Sequence, residues 1–166
     1  MALRQILDYP NPLLKKRAAP VAAIGGEVVT LIEDLAETMY AARGVGLAAT
    51  QVGAGQRVIV LDVHGEDEAP GKRLLKLINP EIALALTAPV KRARRVLVRA
   101  WTPKEREVQV EAEELLAVVL QHEIDHLDGR LFLDRLSRLK RDLYRARQRK
   151  LERQGRKSGG ARPLLI

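Results

Sequence analysis

Two of the three histidines in the chain lie four residues apart, in the segment 122–126, which reads His-Glu-Ile-Asp-His. Residues i and i+4 lie one turn apart on the same face of a helix, so both imidazoles can reach one metal ion. Glu123 can then take a proton from a water bound to that ion, whose pKa the ion lowers. The spacing therefore predicts a metal-dependent hydrolase with His122 and His126 as ligands. The alternative is a pair of core or surface histidines.

The rest of the composition narrows the class of protein. The chain has 166 residues and no cysteine, so disulfides, thiol nucleophiles and thiolate ligands are excluded. Hydrophobic residues make up 46% and charged residues 30%, which is typical of one soluble globular domain. With no apolar run of membrane-spanning length and no signal or transit pattern at the start, we expect a cytoplasmic protein. The third histidine, His64, follows a strand in an acidic loop and is expected on the surface.

Positive charge is concentrated near the C-terminus. Residues 135–157 contain eleven Lys or Arg and two acids, whereas the net charge of the whole chain is +8. A basic arm on a near-neutral body indicates a polyanionic partner, most naturally RNA or an RNA-rich particle. A solvated helix that only improves solubility explains the charge equally well.

The elements that must position the histidines follow from hydrophobic periodicity and turn residues. We expect an amphipathic helix from about Gly26 to Arg43, a central helix from about Glu113 that Gly129 ends, and a basic amphipathic helix near the C-terminus. A tight glycine-rich segment should precede a short strand within 44–53. Further strands are expected at 57–63, at 74–78 (ended by Asn79-Pro80), and in a hairpin formed by 96–100 and 108–112.

These elements predict an α+β fold in which small antiparallel sheets pack around a central metal-binding helix, with a further helix at the C-terminus. One domain should span residues 1–145. Residues 146–166 should form a basic helical extension and tail.

Two motifs in this order resemble those of peptide deformylases. The segment 121–129 resembles the metal-binding motif of that family, and the segment 44–51 (Gly-Val-Gly-Leu-Ala-Ala-Thr-Gln) resembles its first motif. Three shorter segments also match in order, at 6–14, 79–81 and 133–137. The resemblance covers nearly all of residues 3–145.

The resemblance implies a metallohydrolase that removes the formyl group from N-formylmethionine of nascent polypeptides. His122 and His126 would hold Fe²⁺, with Ni²⁺, Co²⁺ or Zn²⁺ as replacements. Glu123 would be the general base and acid. Gln51 would donate its side-chain amide to the oxyanion that forms at the formyl carbon.

The resemblance also implies how substrate and partners bind. Backbone hydrogen bonds to an extended peptide would come from Val45, Gly46 and Leu47. A pocket for the methionine side chain would be lined by Leu115 and Val118. The protein would be a monomer that docks on the ribosome through basic residues of its last helix, namely Arg138, Lys140, Arg141, Arg145 and Arg149.

One expected motif is missing. The family carries a Glu-Gly-Cys-Leu-Ser segment, whose cysteine is the third metal ligand, between the positions of Glu81 and Val96. Here residues 82–95 contain no Cys, His, Asp or Glu. The gap is expected between about Leu84 and Pro89, and it can reflect natural absence, deletion or omission of a loop from the sequence. Glu81 is the one carboxylate nearby that could substitute as a ligand.

Three functions therefore remain open. The first is a deformylase, with low or no activity expected from two imidazoles and water alone. The second is an inactive deformylase-like protein that keeps ribosome or RNA binding through residues 135–157. The third is a zinc peptidase of unrelated fold, which would cleave internal bonds of unformylated peptides.

Overall fold

The computed structural model describes residues 2–64, 68–86, 92–135 and 138–153. Five antiparallel strands join in one sheet in sequence order. They are β1 (Gly46–Ala48), β2 (Val58–Leu61), β3 (Leu75–Leu86), β4 (Arg95–Trp101) and β5 (Glu107–Glu113). Three helices accompany the sheet, namely α1 (Gly26–Ala41), α2 (Glu114–Leu127) and α3 (Arg138–Arg153). The α+β class is confirmed, and the strands form a single sheet.

Strand β2 shows how the sheet is buried on both faces. Val58 and Val60 belong to the core that contains α1 residues, whereas Ile59 and Leu61 belong to the core that contains α2 residues. Successive side chains of a strand point to opposite faces, so an uninterrupted apolar strand can contact a helix on each side. The sheet therefore lies between α1 and α2, and α2 is the central helix that the sequence predicts.

Helix α2 ends where expected, because Gly129 has a positive φ of 70° that favours glycine. A Cβ at this position would lie 2.4 Å from the carbonyl oxygen of Lys15. The helix end is thus packed against the N-terminal segment. The side chain of Arg57 reinforces this end, since its Nη1 donates to Oδ1 of Asp128 at 2.7 Å.

The predicted end of the third strand is wrong. Strand β3 continues through Asn79-Pro80, with a register shift between Ile78 and Glu81. Asn79 has a φ of 51°, which is typical of a bulge, and Pro80 can occupy a bulge because it has no N–H to pair there. The Asn79 side chain also bonds both backbone groups of Val21, at 2.8 and 2.9 Å. Local turn signals did not reveal this distant partner.

The order predicted within 44–53 is also wrong. The strand, β1, comes first and is followed by a 3-10 turn over Ala49–Val52. Gly53 ends that turn with a φ of 80°. Gly46 thus begins the strand itself, whereas Gly44 precedes the strand and Gly53 follows the turn.

The basic helix is confirmed as α3. Tyr144 anchors it by packing on the small core formed by Leu14, Leu131 and Leu133. Residues 136–137 and 154–166, which belong to the predicted C-terminal helix region and tail, lie outside the described residues. No helix among the described residues combines the length and apolar character that crossing a membrane requires.

Candidate active site

Helix α2 brings the two histidines together in a buried position. His122 and His126 are 4% and 8% exposed, and their Nε2 atoms are 3.1 Å apart. The rings meet edge to face with centroids 4.6 Å apart. Two nitrogens that each lie 2.0–2.1 Å from a tetrahedral ion would be roughly 3.3 Å apart. The pair therefore fits as two ligands of one ion.

Glu123 lies between them in the sequence and is fully buried. Neither carboxylate oxygen has a hydrogen-bond partner among the described residues. Burial raises the pKa of Glu123 to about 8, although the nearby Arg92 charge opposes the rise. A carboxyl group that exchanges its proton near neutral pH suits general acid and base chemistry.

Burial acts on His126 in the opposite direction. It lowers the pKa of His126 to about 3, and the charges of His122 and Arg92 add to the effect. The imidazole of His126 is therefore neutral at pH 7. Neutral imidazole is the form that binds a metal.

The first motif lies against this helix. A Cβ on Gly46 would be 2.5 Å from Oε1 of Glu123, so the backbone of β1 passes directly beside the carboxylate. The hydroxyl of Thr50 donates to the carbonyl oxygen of His126 at 3.1 Å and ties the 3-10 turn to α2. Gln51 is buried nearby, and its Oε1 accepts the N–H of Ala48 at 2.7 Å. Its amide nitrogen is the end that can donate to a substrate.

The residues predicted to bind substrate differ in their surroundings. Val45 is half-buried beside the α2-side core, whereas the Leu47 side chain is buried in the α1-side core, so only the backbone of Leu47 can face a cleft. On the first turns of α2, Leu115 is 50% exposed and Val118 is half-buried. Their role as a methionine pocket stays a prediction.

No third ligand is close to the histidines among the described residues, since no three His, Cys, Asp or Glu side chains there are grouped for metal binding. Glu81, the candidate substitute, is exposed on β3 and lines a cleft with Arg57 and Asp128. The structure therefore does not support Glu81 as a ligand.

The residue beside His122 is Arg92, which the sequence did not single out. Its Nη2 lies 3.2 Å from Nδ1 of His122, and its Nη1 donates to the carbonyl oxygen of Val118 at 2.8 Å. Gln121 fixes the neighbouring backbone, because its side chain bonds both the N–H and the carbonyl of Ala93, at 2.9 and 2.8 Å. Arg92 lies 30 residues before His122, so no local spacing in the sequence indicated this contact.

The residues predicted to bind the ribosome all belong to α3. Arg138 and Lys140 are exposed, and Arg141 and Arg145 are partly buried. Arg149 is on the same helix, and its side chain lies outside the described set.

The chain is similar to known proteins along most of its length. The sequence matches the polypeptide deformylase family over residues 3–88 and 84–142. A peptide deformylase of Alkalilimnicola ehrlichii is 47% identical over 175 residues, covering 96% of this chain and 97% of the relative. One from Syntrophobacter fumaroxidans is 43% identical, covering 90% and 96%. The crystal structure of a peptide deformylase from Legionella pneumophila superposes with a TM-score of 0.81 at 39% identity, covering 94% of this chain and 99% of that one.

The matches also give information on the interval between Glu81 and Val96, where the third family motif is expected. The alignment with the Alkalilimnicola ehrlichii relative, 175 residues, is longer than this chain of 166, so the relative has residues that this chain lacks. The family match divides into two parts that meet at residues 84–88. That the residues missing from this chain are the Glu-Gly-Cys-Leu-Ser segment stays a prediction. The two parts of the match together span both motifs and the helix that carries the histidines, and the chain belongs to the peptide deformylase family.

Proposed function

We propose that this chain hydrolyses the formamide bond of N-formylmethionyl peptides as they emerge from the ribosome. The observation that carries the proposal is the burial of Glu123 and the paired histidines on one helix, directly against the backbone of β1 at Gly46. Family membership supports the same reaction.

His122 and His126 would hold the metal, which the family resemblance gives as Fe²⁺ with Ni²⁺, Co²⁺ or Zn²⁺ as replacements. When bound, the ion would acidify a water and polarise the formyl carbonyl. Glu123 would accept the proton of the attacking water on a carboxylate oxygen and then deliver it to the departing amine. The Nε2 group of Gln51 would donate a hydrogen bond to the developing oxyanion.

The position of β1 supports a peptide substrate. β1 is the first strand of the sheet and pairs only with β2 among the described strands. An edge strand can bind an extended peptide through backbone groups that its own sheet does not use. We propose that Val45, Gly46 and Leu47 supply such groups here, apart from the carbonyl oxygen of Val45, which already accepts the N–H of Asp62 at 2.9 Å. Leu115 and Val118 would then contact the methionine side chain.

We expect a weakly held metal, because the described residues supply two imidazoles and the chain has no cysteine. Activity below that of cysteine-bearing relatives follows from this expectation.

The reaction is tested by formate release from formyl-Met-Ala-Ser, using the purified full chain supplied with Ni²⁺. Glu123→Gln preserves the shape of the side chain and removes its acid and base chemistry, so we expect a loss of roughly 10²-fold or more. Glu111→Gln, on the exposed edge of β5, is the matched control and should not change the rate. Equal rates for Glu123→Gln and wild type would contradict the proposal, and cleavage inside unformylated peptides would favour a peptidase.

We also propose that α3 binds the ribosome, which places the protein in the cytoplasm. Its support is the concentration of basic residues in 135–157 and the exposure of Arg138 and Lys140. Ribosome co-sedimentation should weaken as salt rises and be lost on truncation after Asp134.

Truncation removes the helix together with its charge, so point variants are needed to test the charge alone. Arg138→Gln/Lys140→Gln should weaken co-sedimentation, whereas Lys104→Gln/Arg106→Gln, exposed in the β4–β5 hairpin, should not. Equal effects of the two double variants would show nonspecific charge attraction. Ribosome binding without any formate release would favour the inactive deformylase-like alternative.

A further inference from the structure

Asp62, directly after β2, joins three parts of the chain in a buried position. It is 1% exposed, and its Oδ2 accepts the hydroxyl of Tyr40 at 2.7 Å and the N–H of Gly71 at 2.6 Å. Tyr40 belongs to the last turn of α1, and Gly71 lies between β2 and β3. Burial and the hydrogen bond to Asp62 raise the pKa of Tyr40 to about 12, so its hydroxyl stays protonated at neutral pH. The end of α1 is therefore tied to the end of β2.

The segment that leads from α1 into β1 begins at this tie. The N–H of Arg43 donates to the carbonyl oxygen of Tyr40 at 2.9 Å, just after the helix ends. Immediately before β1, the carbonyl oxygen of Val45 accepts the backbone N–H of Asp62 at 2.9 Å. Asp62 thus contacts this segment at both ends, through its side chain at the helix and through its backbone at the strand.

The position of this segment matters because it leads directly to the buried carboxylate of Glu123. Gly46 follows Val45, and a Cβ on Gly46 would be only 2.5 Å from Oε1 of Glu123. β1 is also the edge strand to which we assign the peptide. A shift of β1 by roughly 1 Å would therefore move the backbone partners of the substrate relative to Glu123, and misplacements of this size are costly.

We propose that Tyr40 and Asp62 are positioning residues: their hydrogen bond fixes the entry of β1 and thereby aligns a bound peptide beside Glu123. The inference rests on the proposed function in one respect, namely that β1 binds the peptide. The Asp62 carboxylate is buried, so it acts on the substrate through β1 and not by contact. The bond should matter most for peptide residues beyond the methionine, because each further residue of an extended peptide can add backbone hydrogen bonds to the strand.

The test compares Tyr40→Phe with Thr38→Val, two changes that each remove one hydroxyl group from α1. Phenylalanine keeps the ring that packs on the α1-side core and loses the bond to Asp62. The Thr38 hydroxyl instead accepts the N–H of Arg4 at 3.0 Å and ties α1 to the N-terminal segment. A general loss of stability should affect both variants, whereas a loss of β1 alignment should affect only Tyr40→Phe.

The first measurement is formate release by the full chain supplied with Ni²⁺, from formyl-Met-Ala-Ser and from formyl-Met. The ratio of the two kcat/KM values gives the preference for a peptide over the single residue. We expect Tyr40→Phe to lower this ratio roughly three- to tenfold, the size of effect typical of one hydrogen bond. Thr38→Val should leave the ratio unchanged. An unchanged ratio in Tyr40→Phe, or equal falls in both variants, would overturn the proposal.

The second measurement needs no turnover. The product peptide Met-Ala-Ser is titrated into the ¹⁵N-labelled full chain supplied with Zn²⁺, and the amide signals of Gly46 and Leu47 are followed in ¹H–¹⁵N spectra. Free methionine is titrated in parallel. Tyr40→Phe should weaken binding of Met-Ala-Ser relative to methionine, and Thr38→Val should not. Equal binding ratios in wild type and Tyr40→Phe would contradict the positioning role.

Together the two measurements distinguish failure of the positioning role from failure of the proposed reaction. If wild type releases formate and Tyr40→Phe keeps the peptide preference, the reaction stands and the positioning role falls. If wild type releases no formate, but Met-Ala-Ser shifts the Gly46 signal and binds less well to Tyr40→Phe, the positioning role stands without the reaction. If wild type neither releases formate nor binds peptide at β1, both fall.

Discussion

Gly46 lies so close to Glu123 that the site has no space for a Cβ. A Cβ on Gly46 would lie 2.5 Å from Oε1 and 2.9 Å from the carboxyl carbon of Glu123. The carboxylate is itself fully buried and cannot move into solvent. A glycine is therefore required here by its neighbour and not by its backbone conformation.

We predict that Gly46→Ala displaces the carboxylate and destabilises the protein by about 1–3 kcal/mol. Formate release should fall on the order of 10²-fold, because small misplacements of a reacting group are costly. Urea denaturation and the formate assay measure the two effects. Gly44→Ala is the control, since its Cβ would contact no atom closer than 3.5 Å. Similar losses in both variants would show that the contact with Glu123 is not the cause.

Helix α1 is attached to the N-terminal segment through the carboxylate of Asp34. The carboxylate of Asp34 accepts the N–H of Ala2 at 2.7 Å and two bonds from the Arg4 guanidinium, at 3.0 and 2.9 Å. The backbone bond from Ala2 and the charge of Arg4 lower the pKa of Asp34 below its ordinary 3.8, and burial opposes this only in part. The N-terminal segment is thereby fastened to α1.

The stability of the protein should depend on pH because the pKa of Asp34 is lowered in the folded state. Because the pKa of Asp34 is lower in the folded protein, its ionised form adds stability that is fully present above the unfolded pKa and is lost as pH falls through the folded pKa. We predict that Asp34→Asn is less stable than wild type at pH 7 and that the difference shrinks below about pH 4. Thermal unfolding at a series of pH values measures it. Asp8→Asn, at an exposed carboxyl group, should show no such difference.

At the scale of the whole molecule, the interval between β3 and β4 is where the two parts of the family match overlap. Among the described residues, the two proposed metal ligands, His122 and His126, have no third candidate ligand grouped with them. Metal affinity is therefore the property in which the chain should differ most from cysteine-bearing deformylases.

We predict that inserting a deformylase segment with Glu-Gly-Cys-Leu-Ser between Leu84 and Arg92 tightens Ni²⁺ binding by roughly tenfold or more, because a thiolate is a soft third ligand. Formate release should rise in parallel. The matched control is the same insertion with serine in place of cysteine. Equal Ni²⁺ affinity in the two insertions would contradict the assignment of the missing ligand.

The helices and the hairpin were predictable because their signals are local. The apolar stripe of α1, the hairpin turn before β5 and the glycine after α2 each reflect contacts between near neighbours in sequence. The run of β3 through Asn79-Pro80 was not predictable, since the bulge is stabilised by Val21 in the N-terminal segment. The strand within 44–53 was misplaced because its pairing with β2 is a tertiary contact.

The sequence by itself determined the pairing of His122 with His126, since a spacing of four residues places both on one face of any helix. It also determined the family, through two motifs in order. Only the tertiary structure decided what surrounds the pair: the backbone of Gly46 against Glu123 and the guanidinium of Arg92 against His122. These contacts join parts of the chain that are remote in sequence, and no local periodicity encodes which donor meets which acceptor there. The spacing of the proposed metal ligands is therefore a property of the helix, whereas their burial and their contacts are properties of the fold.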